Sequence, residues 1–333
     1  PMAIGEAGSV TTNSPTENDP ITGNFSTTLD APVLALTATN DGGNQFTMRV
    51  IDVTDNSFTF IIEEWEYHDG AHPATETINW VAVNEGVHTL PDGRIIEAGT
   101  TSATHNSGST TLNGGFTDPP VVLTSVMSEN DTTTVDSDPL NITASGFNLR
   151  LQEEEAQDGV HAAETVGFIA IEPGGDADSG TAISHDGVNH TVHTLGLGDT
   201  FSEAVVVAET QDINGGNTAT VVIDAQDNDS VDLFVEEEQS QDSEMNHIDE
   251  TIGVVAFEDG LIPCFAPGAM IETPFGPRAV EALAEGDMIL TRDHGPCPIR
   301  WISHTHLEAD ALSRNPDKLP MVNRASGRAA LIS

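Results

Sequence analysis

Phe58-Thr59-Phe60-Ile61-Ile62-Glu63-Glu64-Trp65-Glu66-Tyr67-His68-Asp69-Gly70-Ala71-His72 decides the fold. Its first half alternates aromatic or branched residues with polar ones, the period of a half-buried strand. Its second half breaks into an acidic turn. A second strand follows, introduced by Glu76-Thr77-Ile78 and running into Trp80-Val81-Ala82-Val83. The pattern then returns. Phe147-Asn148-Leu149-Arg150-Leu151 leads into Glu153-Glu154-Glu155-Ala156-Gln157-Asp158-Gly159-Val160-His161, then Glu164-Thr165-Val166 and Phe168-Ile169-Ala170-Ile171. A third instance has Glu237-Glu238-Gln239-Ser240-Gln241-Asp242, His247, Glu250-Thr251-Ile252 and Val254-Val255-Ala256-Phe257. The Glu-Thr pairs start at 76, 164 and 250, which are 88 and 86 residues apart. Agreement of order and spacing over several segments marks three tandem repeats.

Upstream segments repeat as well. Ala31-Pro32-Val33-Leu34-Ala35-Leu36 matches Pro119-Pro120-Val121-Val122-Leu123 and Glu203-Ala204-Val205-Val206-Val207. Asn40-Asp41-Gly42-Gly43, Asn113-Gly114-Gly115 and Asn214-Gly215-Gly216 supply turns. Before residue 264 no sustained 3.6-residue apolar period occurs. About six short strands in roughly 85 residues make a small antiparallel sandwich. The fold class is therefore all-β, with three tandem antiparallel β-sandwich repeats over 1–98, 99–184 and 185–260 and a different, β-rich module over 261–333.

Charge separates these regions. Residues 1–263 hold 46 of the 54 acids but only Arg49, Arg94 and Arg150 as bases, while the tail is nearly neutral. A formal charge of −44 repels phosphate backbones and anionic lipid, so nucleic acid and membrane surfaces are excluded as partners. It suits multivalent cations or a protein kept soluble in salty water. No apolar run approaches the ~18–20 residues of a membrane span. Two cysteines, Cys264 and Cys297, rule out a disulfide framework. The beginning at Pro1 and the end at Ser333 suggest a piece of a longer product.

The repeated carboxylates are Glu64, Glu66, Asp69 and Glu76, then Glu153, Glu155, Asp158 and Glu164, then Glu237, Asp242 and Glu250. They could gather oxygens for Ca²⁺, a hard cation that takes about 6–8 of them. Alternatively, they form a strand end and a solvated turn. The repeated His72, His161 and His247 are expected at turns or interfaces rather than on a transition metal. No cofactor is required. Residues 1–263 contain no Gly-x-Ser-x-Gly or His-Glu-x-x-His, and the single lysine, Lys318, lies in the tail. This part binds or presents and does not catalyse.

Two family resemblances follow. Phe25, Pro32-Val33, Thr54, Phe58 and Trp80-Val81-Ala82 resemble the H-type lectin unit. So do Phe116, Pro120-Val121, Thr143, Gly146-Phe147 and Phe168-Ile169-Ala170. That likeness implies six-stranded sandwiches, an intrachain pseudo-trimer of the three repeats, and sugar as ligand. The acidic Glu-Glu…His…Glu-Thr segment is not part of the lectin pattern, and Trp80 gives way to Phe168 and Val254.

From Cys264-Phe265 onward the tail reads Gly268-Ala269-Met270-Ile271-Glu272-Thr273-Pro274, Gly276-Pro277, Val280-Glu281, Leu283, Gly286-Asp287, Leu290-Thr291, Gly295-Pro296 and Arg300-Trp301-Ile302. This closely resembles the N-terminal part of a Hint module, the Hedgehog/intein-type self-processing domain of certain bacterial proteins. The resemblance implies Cys264 as nucleophile and the carbonyl of Pro263 as the scissile group. It also implies an exported or surface protein of bacterial type, with extracellular glycan, matrix or cell surface as partners. A thiolate is both a strong nucleophile and a good leaving group, so cysteine suits an acyl shift. The module's histidine is expected beyond Leu331-Ile332-Ser333, so residues 1–333 alone are expected not to cleave. A structural adhesin or surface-layer protein with an inert Hint remnant is the competing reading.

Overall fold

The computed structural model describes residues 2–243, 245–264, 270–279, 282–284, 286–291 and 295–299. Among them there is no α-helix, and the chain is all-β. Two compact units emerge. One comprises residues 4–88 and 95–262; the other comprises 1–3, 89–94 and 263–333.

Within the larger unit the first repeat contributes β1 (Met2–Ser14), β2 (Ile21–Asn24), β3 (Pro32–Ala38), β4 (Phe46–Val53), β5 (Ser57–Glu64) and β6 (His72–Asn84). After β7 (Gly86–Thr89) the second has β8 (Ile95–Ala103), β9 (Gly108–Thr111), β10 (Val121–Val126), β11 (Val135–Thr143), β12 (Gly146–Glu153) and β13 (Glu164–Ile171). A short β14 (Gly174–Asp176) precedes the third. That repeat has β15 (Gly180–Val188), β16 (His193–Gly196), β17 (Ala204–Thr210), β18 (Ala219–Gln226), β19 (Ser230–Glu237) and β20 (Glu250–Glu258). Strand β21 (Gly260–Cys264) lies beside β1 in the sheet order β21-β1-β6-β3.

Each repeat splits its six strands between two antiparallel layers. The first, sixth and third strands pair, as in β8-β13-β10 and β15-β20-β17, and so do the second, fifth and fourth, as in β9-β12-β11 and β16-β19-β18. Strands β8 and β15 run across the positions 98/99 and 184/185, because the first strand of each repeat starts at 95 and 180.

Three separate cores fill the layers. The first centres on Phe58, Phe60, Ile78 and Trp80. The second holds Phe147, Leu149, Val166 and Phe168. The third holds Val231, Leu233, Ile252 and Val254. One facing pair shows how their volumes balance. Gly8 stands opposite Trp80 and Gly99 opposite Phe168, whereas Ile183 stands opposite Val254. A Cβ at Gly8 would come within 2.6 Å of the Trp80 ring, so a large aromatic requires glycine across the strand gap. Where the aromatic shrinks to valine, isoleucine fills the space, as close packing demands.

Alternation survives on β12 and β19, which bury every second residue, but is lost on the third and sixth strands. All six residues of β10 are buried. The reason is a second packing partner: β3, β10 and β17 each touch the other two, and β6 and β20 touch β17 and β10 of other repeats. Strands buried on both faces become continuously apolar. Polar side chains still bridge these contacts. Thr37 Oγ1 donates to the Ala208 carbonyl (2.9 Å), and Gln211 brackets Val122, accepting from its N–H and donating to its carbonyl (both 2.8 Å). A single parallel pairing of Arg49 with Val126 joins layers of repeats 1 and 2.

In the smaller unit β22 (Met270–Ile271) pairs with β23 (Arg278–Ala279), and β24 (Met288–Thr291) pairs with β25 (Gly295–Pro298). The sequence pattern predicts a helical turn over Arg278–Leu283. Arg278 and Ala279 instead form β23, with the guanidinium donating to Asp287 Oδ2 at 2.8 Å and to the Ala282 carbonyl.

Candidate functional site

The acidic segment begins at the end of each repeat's fifth strand, and the sixth strand starts within or just after it. Folding brings its flanking carboxylates onto one buried histidine. In repeat 1 His72 Nδ1 lies 3.2 Å from Glu64 Oε1, and Nε2 lies 3.1 Å from Glu76 Oε1. In repeat 3 His247 Nδ1 lies 2.9 Å from Glu237 Oε2, and Nε2 lies 3.0 Å from Glu250 Oε1. Ionised carboxylates only accept hydrogen bonds, so the two carboxylates on the ring nitrogens of His247 favour its doubly protonated form. Burial alone would lower His247, but the hydrogen bonds to Glu250 and Glu237 outweigh it and raise the pKa above 6.5. Burial would raise Glu250; the bond from His247 and the backbone N–H groups of Gly215 and Asn214 hold it below 4.5. His247 is thus an internal cation tying two strands of its sandwich together, and His72 sits between the same pair of carboxylates in repeat 1.

The remaining acidic residues do not join these clamps. Glu66 is exposed and accepts from the Thr134 N–H, and Asp69 and Asp158 are exposed and close local turns on Ala71 and Val160. Asp242 is also exposed, and Glu155 is half-buried.

Repeat 2 departs from its neighbours. His161 Nδ1 lies 3.0 Å from Glu153 Oε1, but the buried Nε2 makes no hydrogen bond and stands 3.4 Å from Glu164 Oε1. Glu164 is served by other donors: Ser128 Oγ (2.5 Å), the N–H groups of Asn130 and Asp131 (both 2.8 Å), and the Arg49 guanidinium at 3.6 Å. Asp131, Glu153 and His161 each offer a ligand atom, and these atoms lie within 4.8 Å of one another. Among the described residues they are the group of metal-ligand type.

Arg49 itself is fully buried. Its Nε donates to both carboxylate oxygens of Glu63 at 2.9 Å, and Nη1 and Nη2 donate to the Ser128 and Thr133 carbonyls. Burial nevertheless pushes Glu63 up to about 7, against the opposing pull of Arg49. A cavity of ≈ 60 Å³ between the repeats is lined by Thr37, Thr47, Thr124, Asp136 and Glu209, among others. Burial, and then neighbouring carboxylates, push Asp136 and Glu209 well above the usual range. A Glu…His…Glu order in all three repeats was the available signal for the clamps.

The candidate scissile pair ends β21. Ile262 is buried, and the boundary between the two compact units falls between Ile262 and Pro263. Pro263 lies on an edge strand, the place in a sheet where proline is tolerated. Cys264 is the last residue of that strand. Cys297, on β25, is half-buried and not in a disulfide.

Comparison with known proteins agrees with this division. Halomucin from Haloquadratum walsbyi (strain DSM 16790 / HBSQ001) is 28% identical over 218 residues, covering 63% of this chain. The chain spans about 2% of that relative's length. No solved structure gives a significant match. Residues 263–327 match the Hint domain model, so this is a Hint domain-containing protein with an all-β body ahead of the domain.

Proposed function

We propose that the chain belongs to an exported or surface protein whose acidic β-repeats are released or transferred by its Hint domain at Pro263–Cys264. The observation that carries this is a coincidence of boundaries: the Hint match begins at Pro263, where the long C-terminal segment of the smaller compact unit also begins, one residue before a cysteine. In the reaction Cys264 Sγ bonds to the Pro263 carbonyl carbon. The C–N bond to Cys264 breaks, and its nitrogen takes a proton. Water then opens the thioester, leaving a Pro263 carboxylate and restoring the thiol.

The likeness to Halomucin supports a surface or extracellular setting, and the charge of −44 suits a body that stays dispersed there. The three repeats act as an intrachain trimer, supported by the mutual packing of β3, β10 and β17.

Intact-mass measurement of the full-length product tests the cleavage. The expected result is a piece ending at Pro263 from the wild type and an uncut chain from Cys264→Ala. An uncut wild type, or cutting that survives Cys264→Ala, overturns it.

A further inference from the structure

We propose that Asp131, Glu153 and His161 bind one divalent transition-metal ion of the Zn²⁺ class, a site present in repeat 2 alone. The three repeats serve as internal controls for one another. Counting five residues past the end of the third strand (Ala38, Val126, Thr210) reaches Gly43, Asp131 and Gly215. Both glycines abut their histidine. A Cβ on Gly43 would lie 2.7 Å from His72 Cε1, and one on Gly215 would lie 2.5 Å from His247 Cε1. Repeat 2 puts a carboxylate at this place.

Counting two residues back from the fourth strand gives Asn44, Thr133 and Asn217. Asn44 donates its amide to Glu64 (3.0 Å), and Asn217 donates to Glu237 (2.6 Å). Thr133 donates to Asp131 instead, at 3.1 Å. Repeat 2 has therefore exchanged a neutral donor for a second anion beside Glu153.

Thr133 and the Ala162 N–H hold Asp131 in place, which fixes a second carboxylate beside Glu153 and the buried imidazole, a set that a cation can bridge. His161 is 2% exposed; its Nδ1 lies 3.0 Å from Glu153, and its Nε2, 3.4 Å from Glu164, lacks the hydrogen bond that its counterparts make. Arg49 stands beside Glu164, so that carboxylate has a cationic neighbour other than His161. An imidazole nitrogen with two carboxylate oxygens favours Zn²⁺ or its neighbours over Ca²⁺, which wants more and purely oxygen ligands.

Calorimetric titration of the full chain with Zn²⁺ provides the test, comparing wild type with Asp131→Gly, the residue that repeats 1 and 3 hold there. Wild type is expected to bind one more equivalent than the variant, or to bind that equivalent at least ten-fold more tightly. Circular dichroism checks the variant's fold. Should glycine unfold it, Asp131→Asn, which keeps the side-chain volume, is expected to show the same loss. Equal stoichiometry and affinity in wild type and the folded variant overturn the site, as does a preference of this equivalent for Ca²⁺ over Zn²⁺.

Discussion

Repeats 1 and 3 close around a histidine held on both sides by carboxylates, whereas repeat 2 divides that task between His161 and an arginine from its neighbour. His72 and His247 place each nitrogen 2.9–3.2 Å from a glutamate oxygen. His161 does so on one side only, and Glu164 turns to Ser128, the backbone and Arg49. The difference teaches where an acidic protein finds its internal cations. With three bases among 263 residues, His247, its pKa raised, neutralises buried carboxylates locally, and one arginine serves two repeats at once.

The sharpest way to break the comparison is Arg49→Met. It removes a cation buried between repeats 1 and 2 and leaves Glu63 and Glu164 facing each other's repeat without it. Loss of one partner of a buried pair costs about 3–5 kcal/mol. Glu63 already sits at about 7, above its ordinary 4.5, so the folded state holds its proton more strongly than the unfolded one. The proton's contribution is therefore present below 4.5 and fades as pH rises through the folded value. Without Arg49 that value rises further. Denaturant titration should accordingly show a larger loss for the variant at pH 8 than at pH 5. An equal loss at both would mean that Arg49 acts through packing alone.

Second in size is His247→Gln, which leaves Glu237 and Glu250 sharing a buried space without a cation and is expected to cost about 2–4 kcal/mol near pH 6. Its pH dependence has two arms. The folded pKa of His247 is raised, so its contribution is complete below the ordinary 6.5 and is lost as pH climbs through the folded value. That of Glu250 is lowered, so its contribution is complete above 4.5 and is lost as pH falls through the folded value. The clamp of repeat 3 is therefore fully formed between these limits. The wild-type advantage over His247→Gln should shrink on either side, as thermal unfolding against pH would show. A difference that stays flat from pH 3 to 9 would make the ring a spacer rather than a charge.

Much of this architecture was legible in the sequence because it rests on periodicity. The alternation of Phe147-Asn148-Leu149-Arg150-Leu151 survives as β12, and the repeat order of strands follows from the spacing of Glu76, Glu164 and Glu250. The clamps were harder to see. Grouping Glu64, Glu66, Asp69 and Glu76 by proximity in the chain hides that Glu64 ends one strand and Glu76 lies on the next, while Glu66 and Asp69 sit in the turn between them. Glu64 and Glu76 therefore point inward, while Glu66 and Asp69 meet solvent. The role of Arg49 could not be read at all from local pattern, since its partners Ser128, Thr133 and Glu164 lie in the next repeat. The Cys264 region was readable for the opposite reason: a dense run of turn and strand residues matches a known module without needing any long-range pairing.

The finest adjustment exchanges the residue that separates the two kinds of repeat. Asn217→Thr in repeat 3 removes the 2.6 Å amide donor to Glu237 and puts there the threonine that repeat 2 carries. A hydrogen bond to a charged group contributes about 1.5–3 kcal/mol, and His247 still serves the other face of this glutamate, so a loss near the lower end, about 1.5 kcal/mol, is expected. The reverse exchange, Thr133→Asn, supplies Glu153 with a donor but takes Thr133 Oγ1 from Asp131. Those effects oppose each other, so stability should hold within about 0.5 kcal/mol, while Zn²⁺ binding weakens because Glu153 is already occupied. Denaturant midpoints for both variants read the first effect, and the Zn²⁺ titration reads the second. If Thr133→Asn instead stabilised the chain and left Zn²⁺ binding unchanged, Glu153 would be a clamp residue like Glu64 and Glu237, and the distinction between the repeats would collapse to the single position of Asp131.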